Sequence, residues 1–214
     1  MEKFGRSQPV KRVEDVRFLT GKGRYIADET PEGTLAGYVV RSPMAHGRIA
    51  TLDVSAAEEA EGVHLVLTAE RLIEAGVRIG MSGSRVTNID GTKGARPERP
   101  ILARGKVRYV GEALAFIVAD TLAQAKDAAE LIDLEISDEP AHVTVAVGGP
   151  ELHEDVPGNK AFHYGLGDKA AVEAALASAA KVVTVQVPDQ RIIVNSMEPR
   201  GVTAHTADGR LHVA

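Results

Sequence analysis

The apolar runs of this sequence are all short, which limits the folds that the chain can adopt. The run at residues 113–119 has the length of one buried strand and is too short for a helix that spans a bilayer. Further strand-length runs lie at residues 35–41, 48–54, 63–68 and 134–136, and turn-forming Gly or Pro residues separate several of them. The sequence therefore predicts a sheet-based domain with its central strand at 113–119.

Short helices are expected between these strands because N-terminal capping signals precede them. Ser55 with Glu58 and Thr121 with Gln124 have the spacing of capping boxes, and Asp168 can cap a later helix. The predicted helices cover residues 55–61, 69–75, 121–131 and 168–180. The order of strand, helix and strand over residues 113–136 predicts a βαβ-like unit. The fold class is therefore predicted as α+β or α/β.

Changes in composition divide the chain into four segments. Residues 1–33 are polar, basic and glycine-rich, which fits an extended N-terminal arm along a partner or a loose tail. Residues 34–145 hold the predicted sheet, with a long glycine-rich loop at 76–100. Residues 146–164 are predicted to be a linker, and residues 165–214 to belong to a second domain.

The second domain is expected to open with the helix capped by Asp168 and to continue as strands. These strands are predicted at residues 182–187, 202–206 and 210–213. Asp208-Gly209 joins the last two, and this dipeptide between apolar runs indicates a tight hairpin.

Composition excludes several classes of protein. The chain has no cysteine, so disulfides, thiol nucleophiles and cysteine-ligated clusters on this chain are excluded. Its formal net charge of −5 disfavours nucleic acid as a partner. The first residues lack the apolar segment of a secretory signal, so a soluble, cytoplasmic chain without membrane insertion is expected. No nucleophile motif or metal-ligand spacing is found, so neither catalytic nor metal-binding residues are predicted.

Three polar positions leave a functional and a structural interpretation open. Glu112 follows Gly111 at the start of the central strand, where it could face a cleft or anchor a turn. His46 could be a ligand, although a lone histidine is more often a hydrogen-bonded structural residue. His153 lies in a charged stretch that is expected to be a solvated loop.

Four segments, in order along the chain, carry a family resemblance. They read Arg-Val-Glu-Asp-Val-Arg-Phe-Leu-Thr-Gly-Lys-Gly-Arg-Tyr at 12–25, Val-Arg-Ser-Pro-Met-Ala-His-Gly-Arg-Ile at 40–49, Val-Arg-Tyr-Val-Gly-Glu at 107–112, and Gln-Arg at 190–191 with Met-Glu-Pro-Arg-Gly at 197–201. Together they resemble the large, molybdopterin-binding subunit of the xanthine dehydrogenase/aldehyde oxidase family, the molybdenum hydroxylases. Members of this family are much longer than 214 residues.

The resemblance implies a fold, cofactors and partners. Residues 34–145 would form the α/β hammerhead domain, and residues 165–214 the first helix and strands of the molybdopterin-binding domain. Such enzymes oxidise aldehydes, N-heterocycles or carbon monoxide with a molybdopterin cofactor that carries molybdenum. The implied partners are the remainder of the molybdopterin-binding subunit, an iron–sulfur subunit and an FAD subunit.

Within the matching segments, Gln190, Glu198 and Arg200 are the candidate cofactor-binding residues by resemblance. Glu198 could orient a ligand or a neighbouring group, or it could form an ion pair with Arg200 or Arg191. The chain alone is expected to be inactive, as the front piece or a split subunit of a hydroxylase that walls the substrate channel. A non-catalytic assembly module derived from the hammerhead domain is the alternative.

Overall fold

The computed structural model describes residues 11–28, 30–81, 84–189, 195–196, 198 and 200–214. The chain divides into two compact units. One is Leu35–Val183, and the other combines Met1–Thr34 with Thr184–Ala214.

The helices and strands are short throughout. The helices are α1 (Asp15–Leu19), α2 (Ser55–Glu58), α3 (Ala69–Glu74), α4 (Leu122–Glu130) and α5 (Lys169–Ser178). The strands are β1 (Ala36–Arg41), β2 (Gly47–Asp53), β3 (Val63–Leu67), β4 (Lys106–Val107), β5 (Ala113–Ala119), β6 (Asp133–Asp138), β7 (Ala204–Ala207) and β8 (Arg210–Val213). Single 3-10 turns occur at Ile26–Asp28 and Pro157–Asn159.

Two three-stranded antiparallel sheets form the larger unit, with strand orders β1-β5-β3 and β4-β2-β6. The predicted central strand is confirmed, since β5 lies between β1 and β3. Its residues Ala115, Ile117 and Ala119 pack with Ala125 and Ala128 of α4, and all five are fully buried. Small side chains on α4 allow the helix to lie close to the sheet, and this makes the first core.

A second part of the core involves both sheets. Leu114 of β5 is fully buried and clusters with Ala103 and Val107. Ile49 of β2 and Ile136 of β6 pack against this cluster. Leu114 therefore connects the first sheet with the second.

The sequence prediction of a βαβ-like unit is wrong. Strands β5 and β6 flank α4 in the sequence, but β5 belongs to the first sheet and β6 pairs antiparallel with β2 in the second. The reason is packing: Leu134 and Ile136 of β6 join the cluster around Leu114, whereas α4 covers the first sheet.

Two of the three capping predictions are confirmed. The backbone amide of Gln124 donates a hydrogen bond to the Thr121 hydroxyl oxygen at 3.2 Å. The same hydroxyl donates to the side-chain oxygen Oε1 of Gln124 at 2.7 Å. Asp168 Oδ1 accepts the Ala171 amide at 3.0 Å at the start of α5.

The capping box at Ser55 does not form, because Val54 is the N-cap of α2 and the Glu58 amide already donates to the Val54 carbonyl at 3.0 Å. Ser55 donates its amide and its hydroxyl to Asp53 Oδ1, at 2.9 and 2.6 Å. Glu58 instead pairs with Arg71, whose Nη2 donates to Glu58 Oε2 at 2.6 Å.

The predicted loop at residues 76–100 contains no helix or strand among its described residues, and its two sides run antiparallel as a ribbon. Isolated antiparallel bridges join Gly80 with Pro100 and Thr87 with Lys93. The second bridge is seven residues further along on both sides, so the two bridges share one pairing register. Ile79 and Leu102 at the base of the ribbon are buried with Ala69 of α3. The ribbon is therefore anchored in the core, although most of its length is exposed.

In the smaller unit, the hairpin prediction is confirmed. Strands β7 and β8 pair with Ala207 opposite Arg210, and Asp208 and Gly209 have φ of 51° and 70°. These values are those of a type I′ turn, which fits the twist of a hairpin.

Two other predictions for this part of the chain are wrong. Residues 182–187 form no strand, since no neighbouring strand pairs with them in the described residues. The N-terminal segment is not wholly extended, because α1 and the turn at Ile26–Asp28 lie within it.

Candidate functional site

A cluster of charged and imidazole side chains lies at one end of the second sheet. Glu139 lies just after β6, and its carboxylate accepts hydrogen bonds from Arg48 Nε at 2.8 Å and from Lys106 Nζ at 3.0 Å. The hydrogen bond from Lys106 and the nearby positive charges of Lys106 and Arg48 hold the Glu139 pKa below its usual value of 4.5, despite some burial. Because Arg48 lies on β2 and Lys106 on β4, one carboxylate ties together all three strands.

His46 is the most buried member of this cluster, with 3% of its surface exposed. Its Nδ1 lies 2.8 Å from the Pro140 carbonyl oxygen, and because that oxygen can only accept, Nδ1 carries the hydrogen. Nε2 lies 3.6 Å from Glu139 Oε2 and has no hydrogen-bond partner among the described residues. The structural interpretation of His46 is confirmed.

Glu112 and His153 lie close to the same cluster. Glu112 is buried and its Oε2 accepts the Arg108 amide at 2.5 Å, so it anchors the turn before β5, as the structural interpretation held. Arg108 in turn donates to the Leu152 carbonyl at 3.0 Å. The expectation of a solvated loop is wrong for His153, which is partly buried: burial, followed by the charge of Arg108, lowers its pKa.

Chemically, these residues form a polar network that holds the ends of the strands together. Most of their polar atoms already bond each other or the backbone. No group of three metal-ligating side chains occurs in the part of the chain that the structure describes.

Replacing Glu139 with glutamine is expected to destabilise the protein at pH 7. The folded-state pKa is depressed, so its contribution to stability is full above the unfolded pKa and is lost as pH falls through the folded pKa. Urea unfolding of wild type and Glu139→Gln should therefore differ clearly at pH 7, and the difference should shrink as pH falls below 4.5 and through the lowered folded-state pKa. Glu135→Gln, on the exposed face of β6, is the control. A wild-type advantage unchanged at pH 3 would contradict the assigned charge interactions.

Of the predicted cofactor-binding residues, Gln190 lies outside the described residues. Glu198 is exposed, and its Oε1 accepts the Ile26 amide at 3.2 Å. A methyl group at Gly201 would come within 3.3 Å of Ile26 Cγ2, so the chain is closely packed there. Arg200 is exposed. A bound cofactor is usually largely enclosed, so any site that includes Glu198 and Arg200 needs further residues from elsewhere.

Sequence reasoning missed a pair of histidines in the smaller unit. His205 of β7 lies opposite His212 of β8, with the two rings stacked at a centroid distance of 4.9 Å. Both line a cavity of about 330 Å³ with Pro31 and Thr203. The hairpin turn at Asp208-Gly209 fixes this register, so the pairing could have been read from the sequence.

The fold and sequence have clear relatives. The family described as aldehyde oxidase and xanthine dehydrogenase, a/b hammerhead domain, matches residues 20–140. The chain is 35% identical over 204 residues to the nicotine 6-hydroxylase large subunit of Paenarthrobacter nicotinovorans, covering 91% of this chain and 23% of that protein. It is 32% identical over 207 residues to the carbon monoxide dehydrogenase large chain of Hydrogenophaga pseudoflava, covering 89% of this chain and 24% of that one.

The crystal structure of the Cu,Mo-CO dehydrogenase in its carbon monoxide reduced state superposes with a TM-score of 0.60 at 31% identity. That match covers 80% of this chain and 22% of the other. The chain thus spans about a quarter of the length of the curated relatives that it matches. No helix in the described residues is long and apolar enough to cross a membrane. By its sequence and by its fold, this chain belongs to the aldehyde oxidase and xanthine dehydrogenase family, the molybdenum hydroxylases, and carries the α/β hammerhead domain of their large subunits.

Proposed function

We propose that this chain is the N-terminal part, or a separately encoded piece, of the large subunit of a molybdenum-dependent hydroxylase or dehydrogenase. Its role is structural: it completes the large subunit and forms a wall of the substrate channel. The relatives named as nicotine 6-hydroxylase and carbon monoxide dehydrogenase support this reaction class, as does the aldehyde oxidoreductase of Megalodesulfovibrio gigas. The substrate would be an aldehyde, an N-heterocycle or carbon monoxide.

The observation that carries the proposal is an uncovered apolar face on the first sheet. The face is the side of the sheet opposite α4, and with α3 and the base of the ribbon it forms a groove of about 320 Å³. The groove is lined by Val39, Leu67, Leu72, Val77, Ile101 and Phe116, among others. Val77 and Ile101 are 45% and 52% exposed. A contiguous apolar surface of this kind is typical of a protein–protein contact.

Polar residues near the end of the chain would contribute to the cofactor region of the large subunit. Gln190, Glu198 and Arg200 would line the region where the rest of the large subunit holds molybdopterin. That cofactor supplies the molybdenum chemistry of the family. The exposed Arg200 can offer donors to an anionic group, whereas Glu198 holds the backbone of residue 26 in place. The iron–sulfur and FAD groups would lie on partner chains.

Molybdenum content tests the proposed function. The tagged chain is produced together with the chain encoded directly downstream, the complex is purified, and molybdenum is measured by elemental analysis. We expect about one molybdenum per complex and none in the chain purified alone. The double variant Val77→Asp and Ile101→Asp should abolish co-purification of the partner, because each buried carboxylate would cost several kcal/mol.

Val143→Asp with Val145→Asp is the matched control, since these valines are 84% and 104% exposed and lie outside the groove. It should leave the complex intact. A folded chain that never acquires a partner or molybdenum would favour the alternative, a non-catalytic assembly module. Loss of the complex in both double variants would rule out the groove as the specific contact.

A further inference from the structure

The ribbon between α3 and β4 carries a charge opposite to that of the rest of the chain. Residues 76–100 contain five basic and two acidic side chains, a net charge of +3. The whole chain has a formal charge of −5, so the remaining residues carry −8. A local reversal of this kind is a feature of surfaces that meet a charged partner.

Three arginines of the ribbon surround one cavity. Arg78, Arg85 and Arg96 line a space of about 320 Å³ together with Glu98. The antiparallel bridges of the ribbon place residue 85 opposite residue 95, one position before Arg96. Glu98 lies over Gly80, with its Oε1 2.8 Å from the position that a methyl group there would occupy. One carboxylate beside three guanidinium groups leaves an excess of two positive charges.

These arginines are exposed, and none of the three has a hydrogen-bond acceptor or an ion-pair partner within the described residues. Elsewhere the chain uses its arginines differently: Arg48 and Arg71 are paired with carboxylates, and Arg108 bonds a carbonyl. Each guanidinium group presents five donors in a planar fork that matches a carboxylate. The Arg78, Arg85 and Arg96 cluster is therefore available for acceptors from outside the chain.

We propose that the Arg78, Arg85 and Arg96 cluster binds an acidic surface, made of Asp and Glu side chains, on another subunit of the complex. This inference rests on the proposed function. A protein surface fits better than a nucleic acid, because the negative charge of the remaining chain would repel a long polyanion, while a few carboxylates need only the local patch. Arginine is also enriched at protein interfaces, where its fork gives directional contacts.

Charge reversal tests this cluster in the complex of the chain with its co-produced partner subunits. The triple variant Arg78→Glu, Arg85→Glu and Arg96→Glu should raise the Kd for binding of this chain to its partner subunits at least tenfold in 50 mM NaCl. In 500 mM NaCl this effect should largely vanish, because salt screens exposed charges. The control is Lys126→Glu, Lys181→Glu and Arg210→Glu. It changes the net charge equally at exposed positions outside the ribbon, and its Kd should change less than threefold.

A second variant identifies the surface that is bound. In Arg78→Lys, Arg85→Lys and Arg96→Lys, a carbodiimide can couple the new amines to carboxylates in direct contact. Mass spectrometry of the coupled complex should find these lysines joined to Asp or Glu of a different subunit. Coupling only to a second copy of this chain, or none in an intact complex, would overturn the inference.

The two proposals fail differently. An intact, molybdenum-containing complex whose Kd is unaffected by the arginine reversals would overturn the arginine contact and leave the proposed function standing. Absence of any complex with the wild-type chain would overturn both.

Discussion

Replacing Leu114 with alanine is expected to lower the free energy of unfolding by about 3–4 kcal/mol. Leu114 is fully buried between Ala103, Val107 and the apolar side chains of the second sheet. Truncation removes apolar contacts from both sheets at once and leaves a cavity that neighbouring strands cannot fill without losing their pairing. Because typical domains are stable by only about 5–15 kcal/mol, this is a large fraction of the total.

Chemical denaturation measures this effect, and Leu122→Ala is its control. Leu122 lies at the first position of α4 and is 48% exposed, so its truncation should lower stability by less than about 1 kcal/mol. Equal effects of the two substitutions would mean that Leu114 does not occupy a rigid position between the sheets.

Adding a single methyl group at Gly47 is expected to destabilise the protein by about 3 kcal/mol. Gly47 begins β2, which is the central strand of the second sheet. A Cβ atom there would lie 2.5 Å from the Ser137 carbonyl oxygen and 2.7 Å from Ile136 Cγ2. The carbonyl belongs to the backbone of β6, so the clash is relieved only by moving the paired strand.

Gly37→Ala provides the comparison for Gly47→Ala. Its new methyl group would also lie within 2.5 Å of another atom, but that atom is the end of the Phe116 ring. A ring can turn aside more easily than a paired backbone, so the loss of stability should be less than half as large. Thermal unfolding of the two variants in parallel gives the measurement. A Gly47→Ala protein as stable as wild type would contradict the close approach of β2 and β6.

The sequence predicted local structure well wherever one short segment decides it. Thr121 and Gln124 form their cap because both partners lie within one helical turn, and Asp208-Gly209 sets its hairpin by backbone geometry alone. Ser55 failed the same rule because the helix begins one residue earlier, at Val54, whose carbonyl accepts the Glu58 amide. A pattern of residue types cannot fix the start of a helix to within one residue.

Arrangements that depend on distant residues could not be predicted in this way. His46 and Pro140 are separated by 94 positions, and their contact follows from the pairing of β2 with β6. The allocation of β5 and β6 to different sheets has the same origin. The candidate cofactor residues Gln190, Glu198 and Arg200 came from resemblance alone, since three exposed or undescribed positions carry no local signal of a ligand.

The pairing of β1 with β5 has a consequence for how this protein is made in the cell. Ala36 lies opposite Ala119, and about 70 residues separate the two strands. At roughly 5–20 residues per second, the ribosome needs several seconds to supply β5 after β1 has been synthesised. During this interval β1 has no partner strand, and β3 has none either, because β5 is the strand that pairs with both. The nascent chain is therefore most vulnerable to aggregation before its central strand emerges, and a slower rate of translation would lengthen the period in which it needs a chaperone.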